Sequence, residues 1–186
     1  MFSLDEKVVY PGHGVARICR IIEKNIAGSN ARFFELEFFN KKMTILVPVD
    51  SVICAGIRKL SSIEHINDTF AILSEPVAKP LHEACVTNWN KRNKESQCKI
   101  RTGNIREICK IYRDLRHISA NKELSFGEKN LLDQTEFLLI EEISMVTHAD
   151  EAKVIERLRS IFKNTDTTKV VPSVKGKITQ TSSMSM

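Results

Sequence analysis

The hydrophobic pattern of this 186-residue chain changes period once, near Gly56, and that change divides it into two kinds of architecture. Before it, β-branched and aromatic residues come in short blocks separated by turn residues, which predicts a small antiparallel sheet or barrel. Val8-Val9-Tyr10 is one block, broken by Pro11-Gly12-His13-Gly14. Residues 15–22 make a second, 25–30 hold Gly28 in a hairpin turn, and 33–39 alternate around Glu35 and Glu37. After Asn40-Lys41-Lys42, a solvated hairpin tip, residues 43–49 complete a meander of about four strands. Pro48 falls late in that block, where an edge strand or a strand end tolerates it. Residues 1–60 therefore read as a compact β-barrel module. An edge strand of such a module is a docking surface, because its unpaired backbone groups can accept a strand from a partner.

Beyond Gly56 the period is helical. Ser61-Ser62-Ile63-Glu64 has the form of a capping box, and Ile63, Ile66, Phe70 and Leu73 follow at helical spacing, so a short helix runs to about Ser74. Pro76 and Pro80 stiffen the stretch after it, and 61–80 reads as a short helix and linker. A second helical region starts at Leu81 and is interrupted by Thr102-Gly103-Asn104. Ile105, Ile108, Ile111, Tyr112, Leu115 and Ile118 then draw one apolar stripe, with Arg106, Lys110, Arg113 and Arg116 mainly on the other faces. Ser125-Phe126-Gly127-Glu128 is another capping box, ahead of Leu131, Leu132, Thr135, Leu138, Leu139 and Glu142. A last helix begins near Asp150 and buries Ala152, Ile155, Leu158, Ile161 and Phe162. Residues 81–163 read as one helical domain, and 164–186, rich in Thr, Ser and Lys without periodicity, as a disordered tail.

Composition narrows the function. No apolar run approaches the ~20 residues of a membrane span, and no basic-then-apolar leader opens the chain. The 5 cysteines (Cys19, Cys54, Cys85, Cys98, Cys109) are scattered and include no C-x-x-C pair, so neither a disulfide framework nor a zinc ribbon is expected. The expectation is a cytoplasmic, monomeric protein with reduced thiols. No nucleophile, P-loop or metal-ligand motif is present, and with 7 glycines there is little material for a phosphate loop. No catalytic residue, metal or cofactor is assigned. His13, between two glycines and without a ligand-type neighbour at a suitable spacing, reads as a turn residue.

The net charge of +5 is concentrated rather than spread. Residues 1–78 carry 9 basic and 9 acidic side chains, whereas 79–129 carry 12 against 6. A partner responds to that local field, so a nucleic-acid contact is sought there first. At the start of the basic segment stands the single tryptophan, in Thr87-Asn88-Trp89-Asn90-Lys91-Arg92-Asn93-Lys94. Two uses fit an aromatic ring among cations: a ring that stacks on or wedges beside a base while Lys and Arg neutralise phosphates, or an anchor of the helical domain to the linker. Spacing alone leaves both open.

Four motifs in order resemble the CarD/CdnL family of bacterial RNA polymerase-binding transcription regulators, over roughly residues 1–163. Val8-Val9-Tyr10-Pro11-Gly12-His13-Gly14 is similar to the family's strand-and-turn signature, and Thr87-Asn88-Trp89-Asn90-Lys91-Arg92 to its Asn-Trp-basic motif. Arg113-Asp114-Leu115 and Leu124-Ser125-Phe126-Gly127-Glu128-Lys129 resemble its Arg-Asp-Leu and Leu-Ser-x-Gly-Glu-Lys signatures. The resemblance implies an α+β protein, with an N-terminal Tudor-like β-barrel docking on the polymerase β subunit and a C-terminal helical bundle at the upstream edge of the promoter bubble. It implies Trp89 as a minor-groove wedge and Lys91, Arg92, Lys94 and Lys129 against the DNA backbone. Contacts of that kind carry no sequence information, so action at many promoters is expected.

The chain departs from the family in three places. Leu46 stands where some members use an arginine against polymerase, so the docking contact there is apolar or is supplied by Lys24. Asn93 stands where an aromatic residue can occur, and the 166–186 tail has no counterpart. The function expected is stabilisation of the open complex without catalysis. The alternative is a protein-interaction adaptor, one module per partner, with the basic surface merely solvated.

Overall fold

A computed structural model describes residues 2–26, 28–75 and 89–163, apart from the side chains of Trp89 and Lys163. The proline-containing stretch, the Leu81–Asn88 part of the second helical region and the 164–186 tail lie outside the described residues.

The N-terminal strands are β1 (Lys7–Tyr10), β2 (Gly14–Ile26), β3 (Ser29–Phe38), β4 (Thr44–Pro48) and β5 (Arg58–Lys59). They form one antiparallel 5-stranded sheet in the order β4-β3-β2-β1-β5. The expected meander supplies four of these strands, and Pro48 sits on the edge strand β4. The fifth, β5, adds to β1 at Val8↔Lys59 and Val9↔Arg58. Val8, Ala16, Ile18, Phe34, Leu36, Phe38 and Val47 point inward and pack with Val52 and Ile57. Alternation along β2 fails once. The register shifts between Ile18 and Arg20, so Cys19 is an extra residue. The shift keeps Ile18 inward against Leu36 while turning Arg20 outward to an ion pair with Glu35. Without it, a cation would be driven into the core.

The helices are α1 (Ile63–Ser74), α2 (Trp89–Arg101), α3 (Ile105–Asn121), α4 (Phe126–Thr147) and α5 (Glu151–Lys163). At α1 the cap lies one residue later than the expected box: Ser62 Oγ accepts the His65 N–H at 3.3 Å, and with His at that position the reciprocal bond of a box is lost. Asn104 caps α3 by accepting the Arg106 N–H at 3.0 Å. Every residue of the stripe expected on α3 is buried. These side chains join Ile66, Phe70 and Leu73 of α1, Leu131, Leu138, Leu139 and Ile143 of α4, and Leu158 of α5 in a second core. The α1 segment is thus part of the helical core as well as a lead into the linker.

The two cores meet through two adjacent glutamates of α4. Glu142 accepts both ends of the Arg58 guanidinium at 2.7 and 2.8 Å, together with the Ser61 N–H at 3.1 Å and hydroxyl at 2.7 Å. Arg58 Nε donates to the Gly103 carbonyl at 2.7 Å, so one β5 residue joins the α2–α3 turn to α4. Glu141, 1% exposed, accepts the Val15 N–H at 2.9 Å. Gly14 is required here: its φ is +108°, and a Cβ would lie 1.7 Å from Glu141 Oε2. Burial pushes the Glu141 carboxyl up to about 7, against the Val15 N–H and the Lys41 charge, which pull it down. Lys41 departs from the expected solvated tip, since its ammonium donates to the His13 carbonyl at 3.2 Å and stands 5.1 Å from the Phe137 ring centroid on α4.

Candidate nucleic-acid interface and docking face

Two of the residues expected to face DNA, Arg92 and Lys129, lie where the start of α2, the end of α3 and the start of α4 meet, with Lys91 and Lys94 on the outer side of α2. The organiser is the capping box of α4. Ser125 Oγ accepts the Glu128 N–H at 3.4 Å, and Glu128 Oε2 accepts the Ser125 N–H at 2.9 Å and its hydroxyl at 2.8 Å. The second carboxylate oxygen lies 3.7 Å from Arg92 Nη2 and 3.7 Å from Lys122 Nζ. Glu128 is only 4% exposed. Burial alone would raise its pKa, but the Ser125 N–H and hydroxyl and the two cations outweigh it and hold the carboxyl below its ordinary value. One ionised glutamate therefore binds a cation from α2 and another from the end of α3 to the N-terminus of α4.

Around this centre the expected contacts differ in availability. Arg92 is half-buried and turned to Glu128, while Lys91 and Lys94 are exposed and make no ion pair among the described residues. Lys129 is exposed and bonded to Glu123 at 3.0 Å, an exposed pair that a phosphate can exchange into at little cost. Trp89 opens α2, and its side chain lies outside the described residues, as do Thr87 and Asn88. Two further members escaped sequence reasoning. Lys122 sits just past α3, and Phe126, the first residue of α4, is 81% exposed. The signal for Phe126 lay in the capping box itself, because a side chain at the first helical position projects away from the helix body.

The residues expected to meet polymerase lie on the other module. Lys24 pairs with Ala31, and Leu46 with Glu35. Alternation places both on the outward face with Arg20, Ile22, Phe33 and Glu35, about 13 Å apart along β3. Leu46 is half-buried on the edge strand, and Lys24 is exposed near the tip of the long β2–β3 hairpin. The charges of this face are largely self-neutralised: Arg17 binds Glu37 at 2.9 Å, and Arg20 binds Glu35. Among the described residues, no group of three or more His, Cys, Asp or Glu side chains could hold a metal ion, and no helix is long and apolar enough to cross a membrane.

Comparison with known proteins divides the chain in the same way. Residues 2–61 match the family described as CarD-like/TRCF RID domain, and residues 70–159 match that described as CarD, C-terminal domain. The chain is 27% identical over 154 residues to the putative transcription factor YdeB of Bacillus subtilis (strain 168), covering 83% of this chain and 97% of the relative. It is also similar to the solution NMR structure of the 72-residue N-terminal domain of Myxococcus xanthus CarD, at 30% identity, 32% of this chain, 79% of that one and a TM-score of 0.28.

Proposed function

The chain belongs to the CarD/CdnL family of transcription factors associated with RNA polymerase, and from that premise we propose that it docks on the polymerase β subunit and holds promoter DNA at the upstream edge of the bubble, prolonging the open complex. Docking uses the outward face and free edge of the sheet around Leu46 and Lys24. An edge strand offers a row of unpaired backbone groups, and charges already paired across the ladder leave no uncompensated charge under a protein partner. DNA is met by Trp89, Lys91, Arg92, Lys94 and Lys129, with Lys122 and Phe126 beside them.

The observation that carries this reading is the exposure of Lys91 and Lys94, without ion pairs among the described residues, next to the helix end that bears Trp89 and on the same helix as Arg92 of the Arg92–Glu128–Lys122 cluster. Such cations neutralise phosphates and release counterions without regard to sequence. A ring wedged at the fork would favour the melted state only by its differential affinity for melted over closed DNA, which slows collapse of the bubble. No catalytic step belongs to this mechanism.

The test is the lifetime of open complexes formed by the cognate polymerase, followed by fluorescence after a competitor challenge. The protein should lengthen it, and Trp89→Ala should abolish the gain while leaving polymerase binding intact. An unchanged lifetime with Trp89→Ala would remove the wedge. The adaptor alternative draws support from Lys129 and Arg92, which already face carboxylates. It predicts no direct DNA binding, and partner binding through apolar contacts that does not weaken steeply with salt.

A further inference from the structure

Helix α2 carries more than the motif at its start. Its inward face is fixed by the buried Ile100, by Gln97 bonded to Gln134 of α4 at 3.2 Å, and by Arg92 turned to Glu128. At 3.6 residues per turn, Lys91, Lys94, Cys98 and Arg101 fall on the opposite side within an arc of about 80°. All four are exposed. Among the described residues, none of the three cations makes an ion pair, whereas the neighbouring Lys99, Arg106 and Lys110 each hold a carboxylate. No acidic side chain interrupts the stripe, since Glu95 lies to one side of it. The stripe runs about 15 Å, from the Trp89 end of the helix toward the α2–α3 turn. Beyond it, Gly103 is bonded to Arg58 of the sheet.

We propose that this stripe is a phosphate rail: duplex DNA upstream of the melted region lies lengthwise along α2, and Arg101, at the far end of the helix from Trp89, is a backbone contact. The inference rests on the DNA reading above and extends it by a residue and a direction. A 15 Å stripe spans roughly four base-pair steps of B-DNA, whose two strands together carry a negative charge about every 1.7 Å of helix axis. Three unpaired cations on one side of a rigid helix suit a regular row of negative charges better than a protein surface of mixed sign. The polarity follows from the wedge role given to Trp89: with that end of α2 at the fork, the C-terminal end, whose turn is bonded to Arg58, leads back along the duplex toward the sheet.

The full-length protein is titrated onto labelled promoter fragments, duplex and forked, between 50 and 200 mM salt, and the slope of log K against log salt is read. Arg101→Ala should reduce the magnitude of the slope on duplex by about 0.9, as should Lys94→Ala, and Arg101→Lys should restore it because a phosphate needs only the point charge. Glu95→Ala, off the stripe, should leave the slope unchanged. If Lys94→Ala lowers the slope and Arg101→Ala does not, the rail is overturned and the DNA reading stands. If the Arg101 effect appears on the forked fragment but not on duplex, the lengthwise placement is wrong. If the wild-type protein shows no salt-dependent binding to either fragment, the underlying DNA reading falls with it.

Discussion

The outward face of the sheet and the outward face of α2 both carry cations, but they treat them differently. On the sheet, Arg17 and Arg20 stand across the β2–β3 ladder from Glu37 and Glu35, and each is paired. On α2, Lys91, Lys94 and Arg101 make no ion pair among the described residues. A ladder brings side chains from a second strand directly alongside, so charges are matched locally. An isolated helix face has only its own i±3 and i±4 neighbours, and here the one acidic neighbour of these cations, Glu95 at i+4 from Lys91, leaves the stripe net positive. The first surface presents little net field, and the second projects one. That difference separates a face suited to protein from a face suited to polyanion.

The contrast means something only while both faces belong to one body, so the largest effect is expected where they are joined. Glu142→Ala should leave Arg58, three-quarters buried, without its partner and cost about 3 kcal/mol in urea unfolding, with loss of a single cooperative transition. A cost below about 1 kcal/mol would show that the joint is dispensable. The neighbouring Glu141 gives a pH signature. Its carboxyl rises from 4.5 unfolded to about 7 folded, so the folded state holds the proton more tightly. The stabilisation is complete below pH 4.5 and is lost as pH rises through 7, a change of about 3 kcal/mol at most. Glu141→Gln keeps an acceptor for the Val15 N–H and cannot titrate, so the difference in stability between it and wild type should vary across that window. A flat difference would place Glu141 in contact with water.

Two smaller effects sharpen the charge comparison. Lys91→Ala with Lys94→Ala should cut the salt slope of DNA binding by about 1.8 while shifting stability by less than about 0.5 kcal/mol, because both side chains are exposed. Arg17→Ala should leave both stability and DNA binding nearly unchanged, since its pair with Glu37 is open to solvent. A loss of DNA binding with Arg17→Ala would undo the division of labour between the faces.

What local chemistry determines was readable in the sequence. The α3 stripe from Ile105 to Ile118 and the box Ser125–Glu128 depend on neighbours within one or two turns, and both are found in place. So are four of the strands. β5 was not legible, because two residues carry no period and pair only through what precedes them by fifty positions. The Cys19 bulge was hidden for a related reason: alternation resumes after it, and only the register of β3 reveals the extra residue. Glu142 lay on the apolar stripe and could be placed inside, but nothing nearby points to Arg58, 84 residues away. At the candidate interface, Lys91 and Lys94 lie on the exposed side of α2, while Arg92 is turned to Glu128, a partner on another helix that is brought close only by packing and so was not legible.

The pair of glutamates at the joint also bears on how tightly the protein can act. Two weak attachments reinforce one another in proportion to the local concentration that the first creates for the second, and a loose linker dilutes that concentration over every orientation it permits. Here Arg58 grips Glu142, Gly103 and the Ser61 region together, while Val15 sits on Glu141. Once the sheet is seated, the cations of α2 are delivered to one place rather than spread through a sphere. On the function proposed above, little affinity for DNA is then needed in solution, and the protein need not attach to bulk DNA before a polymerase presents the right stretch of it.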